Sequence, residues 1–251
     1  MCGRYVMARA VGDLMMECGA EVPGDFGLKE SYNVAPTDDV PIVLERLIDG
    51  VVRRQLHIAR WGLVPRWAKE ISVGSRSFNA RIESAADKPT FQDSVHTRRC
   101  AVPVDGYYEW KKFGAKTKQP YFVHRRDNAP IFFAGLYGWW KDPSKARDAE
   151  DAWLLSTTVL TAPSPSADSG SPVLRELSRL HDRYPIPMDT DTMAAWLDPT
   201  VRDGTHLLDM LRNRAYDAAT DWTLEPVGSA VGNVRNNSPE LIVPQPSLLD
   251  G

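Results

Sequence analysis

Short apolar runs, separated by glycine, proline and asparagine, are the feature that most restricts the fold of this chain. Each run is too short for a typical buried helix and is rich in β-branched and aromatic residues, which is the pattern of a buried strand. The clearest runs are VPIVLERL, VVRRQLHIARWGLVP, RRCAVPVDGYYEW, PYFVHRR, PIFFAGLYGWW and AWLLSTTVLTA. A sheet-rich core is therefore expected.

Helical patterns are fewer and lie mostly near the two ends of the chain. Four segments have apolar residues at helical spacing: AVGDLMMECGA, SPVLRELSRL, DTDTMAAWL and GTHLLDMLRNR. Two polar stretches, 141–152 and 162–172, are predicted to be surface loops. Without repeats or a convincing linker, the pattern predicts an α+β fold in a single domain over 1–251, with a β-rich core and peripheral helices.

The composition excludes several classes of function. A net charge of −3 gives no overall attraction to nucleic acid or anionic membranes, so a polyanion site requires a local cluster of basic side chains. Three cysteines without paired spacing, and five scattered histidines, predict neither a disulfide framework nor a metal site. No run is long enough to cross a membrane, and a cytoplasmic protein with reduced thiols is expected.

Cys2 directly follows the initiator methionine. A cysteine in this position is ordinarily a small core residue, and that interpretation stays open here. If Met1 is removed, the residue carries both a free α-amine and a thiol. The amine has a pKa of about 7.7–8.0, so a fraction is nucleophilic at neutral pH. Together the two groups can condense with an aldehyde into a five-membered thiazolidine ring.

Several short segments combine charged, amide and aromatic side chains. The segment RWGLVPRWAK (60–69) interleaves basic residues with tryptophans, which suits phosphate binding and base stacking, although buried tryptophans with a solvated basic rim fit equally well. In SFNARIES (77–84), an extended backbone would place Asn79, Arg81 and Glu83 on one face. VGNVRNNSPELIVP (231–244) is predicted to be a tight loop that closes over a site.

Two further residues are candidates for proton transfer. Glu109 lies between aromatic residues in DGYYEW, where a carboxylate suits acid–base chemistry, but an exposed glutamate at a strand end is an equal alternative. His181, in RLHDRYP, is the best general-acid candidate because imidazole titrates near neutral pH. A structural histidine is the commoner case for an isolated residue of this type.

Taken in order, nine motifs resemble one known family. These are MCGRY, YNVAPT, WGLVPRW, NARIES, RRCAVPVDGYYEW, PYF, AGLYGWW, LHDRYP and VGNVRNNSPELI. The chain resembles the SOS-response-associated peptidase (SRAP) family of abasic-site processing proteins, with motifs from residue 2 to 244 and a short tail at 245–251. The resemblance implies a single α+β domain with a β-barrel-like, mostly antiparallel core.

The resemblance also implies catalytic roles. Cys2 would crosslink to the ring-opened aldehyde of an abasic site, and Asn79 would orient the reacting N-terminus or the sugar. Glu109 would move protons during formation and reversal of the crosslink, and His181 would protonate the sugar ring oxygen. The family description adds a peptidase activity, including removal of residues before the cysteine; in this chain only Met1 precedes it.

Contacts with DNA follow from the same resemblance. The phosphates flanking the lesion would be held by Arg4, Arg81 and Arg183. Trp67, with Pro36 and Asn33, would form a wedge that kinks the strand. Thr157 or Thr158 would add a phosphate contact.

The expected partner is single-stranded DNA containing abasic sites, bound by a cytoplasmic monomer that associates with the nucleoid on damage. No cofactor, metal or membrane is expected. Two alternatives remain. A glutamine amidotransferase with an N-terminal nucleophile also begins Met-Cys-Gly, but lacks the downstream motifs. A plain single-strand-binding module would use arginine and tryptophan with Cys2 incidental.

Overall fold

A computed structural model describes residues 2–24, 26–113, 117–146 and 148–247. The strands are β1 (Tyr5–Met7), β2 (Ser31–Val34), β3 (Asp39–Ile48), β4 (Val51–Trp61), β5 (Asn79–Arg81), β6 (Arg99–Val104), β7 (Gly106–Phe113), β8 (Thr117–Arg125), β9 (Ile131–Lys141), β10 (Trp153–Pro163), β11 (Arg183–Pro185), β12 (Pro187–Met188) and β13 (Trp222–Pro226). The helices are α1 (Val11–Cys18), α2 (Gln92–Thr97), α3 (Pro172–Leu180), α4 (Thr190–Leu197) and α5 (Thr205–Arg214).

Five strands close into a barrel. The hydrogen-bonded order is β10–β4–β3–β6–β9, and β9 also pairs with β10, which completes the ring. Within this ring β10 and β4 are parallel, and the other pairs are antiparallel. The predicted α+β fold with a β-barrel-like, mostly antiparallel core is therefore confirmed. A second sheet, with the order β13–β8–β7–β1–β2, is antiparallel throughout.

The interior of the barrel is identified by a contact between strands that are not neighbours. Cys100 lies on β6 and Thr157 on β10, with β9 between them. The Cys100 Sγ and Thr157 Oγ1 atoms are nevertheless 3.4 Å apart. Since neighbouring strands are about 4.8 Å apart, only side chains on the concave face can meet across an intervening strand. Cys100 and Thr157 therefore point into the barrel.

Local sequence explains the longest hairpin. β3 and β4 pair continuously from Asp39↔Arg60 to Ile48↔Val51. The two residues between the strands, Asp49 and Gly50, have φ values of 50° and 77°. Asp-Gly is a preferred pair for a two-residue turn with positive φ at both positions, and this turn matches the twist of the strands.

The two sheets share one hydrophobic core. The Tyr5 ring, on β1, lies 4.8 Å from the ring of Trp61 at the end of β4, measured between centroids. Tyr107, on β7, packs edge-on against Phe133 of the barrel at 5.7 Å. The second sheet thus covers one end of the barrel and brings the start of the chain against it.

Two local predictions differ from the structure. RRCAVPVDGYYEW is not one strand, because Asp105 separates β6 in the barrel from β7 in the second sheet. The Asp105 carboxylate accepts hydrogen bonds from the backbone N–H of Ala8 and from Nε of Arg9, at 2.7 and 2.8 Å. Helix α2 was not predicted; it has six residues and no side-chain cap.

Candidate active site at the N-terminus

Cys2 is completely buried between the two sheets. Strand β1 pairs with β7 with Tyr5 opposite Tyr107, and the Arg4 carbonyl accepts a hydrogen bond from the Tyr108 N–H at 2.9 Å. Continuing this register toward the chain start places Gly3 opposite Glu109. The segment before β1 is therefore held beside the Glu109 carboxylate.

Asn79 fixes the backbone of Cys2. It opens β5, which pairs in parallel with β10, with Val159 opposite Asn79. The Asn79 Nδ2 atom donates a hydrogen bond to the Cys2 carbonyl oxygen at 2.6 Å. The Asn79 Oδ1 atom is buried, and no donor in the described part of the chain reaches it. One amide group thus holds the cysteine backbone and retains a buried acceptor oxygen.

The Cys2 side chain is a thiol rather than a thiolate. Burial raises its pKa well above the ordinary value, and the nearby Glu109 carboxylate raises it further. Both effects disfavour a second negative charge in this site. A reaction at sulfur therefore needs a base that removes the proton as the bond forms.

Glu109 is buried on β7 with a side chain only 6% exposed. Its Oε1 atom accepts a hydrogen bond from the Trp110 backbone N–H at 3.2 Å. The alternative of a solvated glutamate at a strand end is therefore excluded. Its carboxylate raises the pKa of the Cys2 thiol and opposes the lowering of the His181 pKa, so its charge acts on both groups.

His181 directly follows α3 and is half-buried. Its Nδ1 atom accepts the Arg183 backbone N–H at 3.0 Å and also lies 2.5 Å from an Asp182 carboxylate oxygen. In the neutral ring, Nδ1 cannot both accept a hydrogen bond from the Arg183 N–H and donate one to the Asp182 carboxylate. We assign the backbone bond, because the Asp182 side chain is 82% exposed and screened by water. Nε2 then carries the proton of the neutral ring.

Burial lowers the pKa of His181 and the Glu109 carboxylate opposes that shift. Since burial is the larger effect, the ring is neutral at pH 7. Proton donation requires the imidazolium form, in which the second proton, on Nδ1, pairs with the Asp182 carboxylate. That form can give the Nε2 proton to an acceptor and return to the neutral ring, and it forms again by taking a proton from solvent or from Glu109.

Arg183 belongs to an ion-paired cluster with Glu83 and Thr161, of which the sequence indicated only the two charged residues. Its guanidinium binds the Glu83 carboxylate through two hydrogen bonds, at 2.6 and 3.0 Å. It also donates to the Thr161 carbonyl at 2.6 Å and to the Thr161 hydroxyl at 3.2 Å. Thr161 was not predicted, because a threonine in a strand-forming run carries no distinguishing signal. The pairing with Arg183 lowers the pKa of Glu83.

The predicted common face of Asn79, Arg81 and Glu83 is only partly present. Strand β5 ends at Arg81, and a single 3-10 turn follows at Ile82–Ser84. Glu83 consequently leaves the strand and reaches Arg183 instead. The Arg81 side chain is exposed to solvent.

Asn33 has a different position from the one predicted. It is 3% exposed, and its Nδ2 atom lies within hydrogen-bonding distance of the carbonyls of Asn233 and Asn236, at 3.0 and 2.8 Å. Its Oδ1 atom accepts from Arg4, which also donates to the Val231 carbonyl at 2.8 Å. Asn33 therefore fastens the loop from 231 to 236 instead of forming a surface wedge. The loop itself was predicted.

Four other predicted contact residues are placed by their burial. Thr157 and Thr158 are fully buried, and the Thr157 hydroxyl donates to the Leu136 carbonyl at 3.0 Å. The predicted phosphate contact from this pair does not fit such positions. Trp67 is 59% exposed, with Nε1 donating to the Pro89 carbonyl at 3.4 Å. Pro36 is half-buried.

Within the described ranges, no cluster of three or more histidine, cysteine or carboxylate side chains could hold a metal ion. The three cysteines are free thiols. No helix in the same part of the chain is both long and apolar enough to span a bilayer. Met1, and residues 248–251 of the predicted tail, lie outside the described residues.

Comparison with known proteins identifies the family. Residues 1–234 match the family model described as SOS response associated peptidase (SRAP). The chain belongs to this family. Among curated SRAP relatives, abasic site processing protein YoqW of Bacillus subtilis is 33% identical over 245 residues, covering 96% of this chain and 99% of the relative. Abasic site processing protein YedK of Escherichia coli is 30% identical over 250 residues, covering 97% of this chain and the whole of the relative.

Solved structures support the same SRAP fold. A crystal structure of a protein from Bacteroides thetaiotaomicron superimposes with a TM-score of 0.77 over 97% of this chain and the whole of the other. The two sequences are 20% identical. At that identity the likeness concerns the fold alone.

Proposed function

We propose that this SRAP protein traps abasic sites in single-stranded DNA by a covalent bond to Cys2. The observation that carries the proposal is the fully buried Cys2, whose carbonyl is held by Asn79 while Glu109 and His181 face the same site. An amine, a thiol and two proton carriers are the groups that aldehyde capture needs. The names of the curated relatives support abasic-site processing.

The first step opens the abasic sugar, which exists mainly as a closed ring. The imidazolium form of His181 gives its Nε2 proton to the ring oxygen as the bond from that oxygen to C1 breaks, and the neutral ring remains. The C1 hydroxyl loses its proton to the Glu109 carboxylate, and C1 becomes an aldehyde. The two protons balance, so the ring opens without net charge transfer to the DNA.

The second step forms an imine. Removal of Met1 frees the Cys2 amine, which attacks C1 of the aldehyde. One amine proton passes to the carbonyl oxygen, Glu109 returns its proton to the resulting hydroxyl, and one water departs to leave a protonated imine. The hydrogen bond from Asn79 to the Cys2 carbonyl holds the amine in one orientation, which raises its effective concentration at the aldehyde.

The third step closes the thiazolidine ring. The Cys2 sulfur adds to C1 of the protonated imine, the π electrons of the C=N bond move to nitrogen, and the thiol proton passes to Glu109. Because burial keeps the thiol protonated, sulfur does not attack before the imine exists. The product is a cyclic adduct, and the same proton transfers in reverse release the DNA.

The DNA is held by residues on the surface around this site. Arg81 is exposed. Arg4 is two residues from Cys2 and Arg183 is two residues from His181, so both can bind phosphates next to the lesion, where a phosphate competes with Asn33 for Arg4. For Arg183 the phosphate competes with Glu83. Trp67 and Pro36 form the wedge, which favours an unpaired strand because stacking requires an open base.

The test incubates the purified protein with single-stranded DNA that carries one abasic site, followed by a denaturing gel. The wild type is expected to give a stable adduct, and Cys2→Ser at most a labile imine. Cys18→Ala is the matched control, since Cys18 is also a buried free thiol. This variant keeps Cys2 and should crosslink normally. A stable adduct with Cys2→Ser overturns the mechanism. Glutaminase activity without any DNA adduct identifies the amidotransferase alternative.

A further inference from the structure

At the end of the barrel opposite the second sheet, two hairpins extend past the closed ring. We define the basic rim as five side chains there: Arg46, Arg53, Trp139, Lys141 and Trp153. The first two lie on the β3–β4 hairpin and the other three on β9 and β10.

Strand register places these side chains on the concave face of the barrel. Across β9 and β10, Lys141 is opposite Trp153, and Tyr137 is opposite the inward-pointing Thr157. Trp139 and Lys141 follow Tyr137 at even spacing, so all three share its face. The rim residues of β9 and β10 therefore continue the interior surface.

The β3–β4 hairpin follows the same rule. Val43 is opposite Ala101, which places the next residues, Leu44 and Cys100, together on the inward side. Arg46 lies two positions beyond Leu44 and is paired with Arg53. Both arginines thus face the same axis as the two tryptophans.

The rim carries charge that the fold does not neutralise well. Arg46 and Arg53 are directly opposite each other, and like charges in this arrangement destabilise a sheet. The closest carboxylate to Arg53 is that of Glu21, at 3.8 Å, with both side chains about half exposed. Burial lowers the pKa of the neighbouring His57, and the charge of Arg46 lowers it further.

The rim also exposes large aromatic surfaces. Trp139 is 38% exposed and Trp153 is 54% exposed. Because Trp139 is opposite Leu155, the two tryptophans are diagonal neighbours on one face, about 7–8 Å apart at the backbone. Single exposed tryptophans are common, but two beside three cations form a surface for stacking and phosphate contacts.

We propose that the basic rim binds single-stranded DNA on one side of the lesion. The proposal rests on the proposed function, which supplies the strand. Along β10, Trp153 is eight residues from Thr161, which corresponds to a distance of about 26 Å. Thr161 binds Arg183 beside the Cys2 site. A strand held at Cys2 can reach the rim only if it extends several nucleotides past the lesion.

The chemistry of the rim favours DNA over other occupants. A second copy of this chain would bring its own arginines against Arg46 and Arg53, and these would repel. The carboxylates of the neighbouring loop are partly engaged, since Asp151 binds Lys145 at 2.6 Å. Cations interleaved with exposed tryptophans match the alternation of phosphates and bases in an unpaired strand.

The experiment measures dissociation constants for undamaged oligonucleotides of about 8 and about 30 nucleotides, which lie within and well above the site size of roughly 4–16 nucleotides of a single-strand-binding domain. The wild type should bind the longer one more tightly. Trp139→Ala and Trp153→Ala should each reduce that gain by about tenfold. Arg46→Ala should lower the salt dependence by about one phosphate contact. Trp153→Phe and Arg46→Lys keep the ring or charge and should retain most of the gain.

Met16→Ala and Arg202→Ala are matched controls, since both residues are exposed and neither lies on a strand that carries the rim. Unfolding midpoints of all variants show whether each is folded. The proposal is overturned if the wild type binds the longer oligonucleotide no more tightly than the shorter one. It is also overturned if folded rim variants keep the full gain in affinity, which is the result expected if the rim binds a protein or a second copy of this chain. Crosslinking of a short abasic oligonucleotide by the wild type tests the proposed function separately.

Discussion

The Asn79 side-chain amide donates a 2.6 Å hydrogen bond to the carbonyl oxygen of Cys2. This bond joins the barrel, through β5, to the segment that precedes β1 in the second sheet. The proposed nucleophile is therefore positioned by tertiary structure. Its orientation does not depend on the short N-terminal segment alone.

Asn79→Ala should slow crosslinking without weakening DNA binding. Loss of one hydrogen bond of about 0.5–1.5 kcal/mol predicts a decrease in rate of roughly two- to tenfold. Single-turnover crosslinking and the dissociation constant for undamaged DNA measure the two effects separately. Asn213→Ala, at an exposed position on α5, is the control and should change neither. Equal losses of rate and affinity would contradict a positioning role.

Asn33→Ala should release the loop from 231 to 236 and destabilise the protein. The substitution leaves buried loop carbonyls and the Arg4 guanidinium without their partner, at a cost of about 1–3 kcal/mol. Urea unfolding measures the stability, and hydrogen exchange of the loop measures its release. Unchanged exchange in the loop would show that Asn33 does not hold it.

His181 should make stability depend on pH. Its pKa in the folded state is lowered from 6.5, so the unfolded chain takes up a proton first as the pH falls. The free energy of unfolding should therefore decrease as the pH drops through 6.5 and on toward the lower folded pKa. His181→Gln should lack this component, as measured by urea unfolding between about pH 5 and 8. Parallel curves for the two proteins would refute the assignment.

Gly135→Ala should destabilise the barrel. A Cβ atom at this position would lie 2.9 Å from the Thr158 carbonyl oxygen and 3.0 Å from the Cys100 sulfur. Overpacking of this kind costs about 1–3 kcal/mol. Gly12→Ala is the matched control, because nothing lies within 4 Å of its added Cβ, and alanine in a helix is favourable by up to about 1 kcal/mol. Destabilisation of equal size at both positions would contradict the packing account.

The strands and most helices could be predicted because their signals are local. The Asp49-Gly50 turn, the alternation of apolar residues and the capped start of α4 are all visible in the sequence. Closure of the barrel was implied only by the family resemblance, since the parallel pairing of β10 with β4 joins segments about 95 residues apart. No local rule indicates such a pairing.

The site was predicted less completely for a related reason. Cys2, Asn79, Glu109 and His181 stood out through residue type and family motifs. Thr161 and the pairing of Glu83 with Arg183 depend on where β10 and β11 meet. Asn33, Thr157 and Thr158 were given surface roles because burial cannot be determined from a short motif.

The mass of the crosslinked species tests the central claim most directly. If Cys2 forms the bond, the adduct should equal the protein without Met1 plus the DNA, less one water, and peptide mapping should place the DNA on the N-terminal peptide. The thiol should no longer react with an alkylating reagent. An adduct that retains Met1, that maps to an internal lysine, or that leaves the Cys2 thiol free would contradict the account.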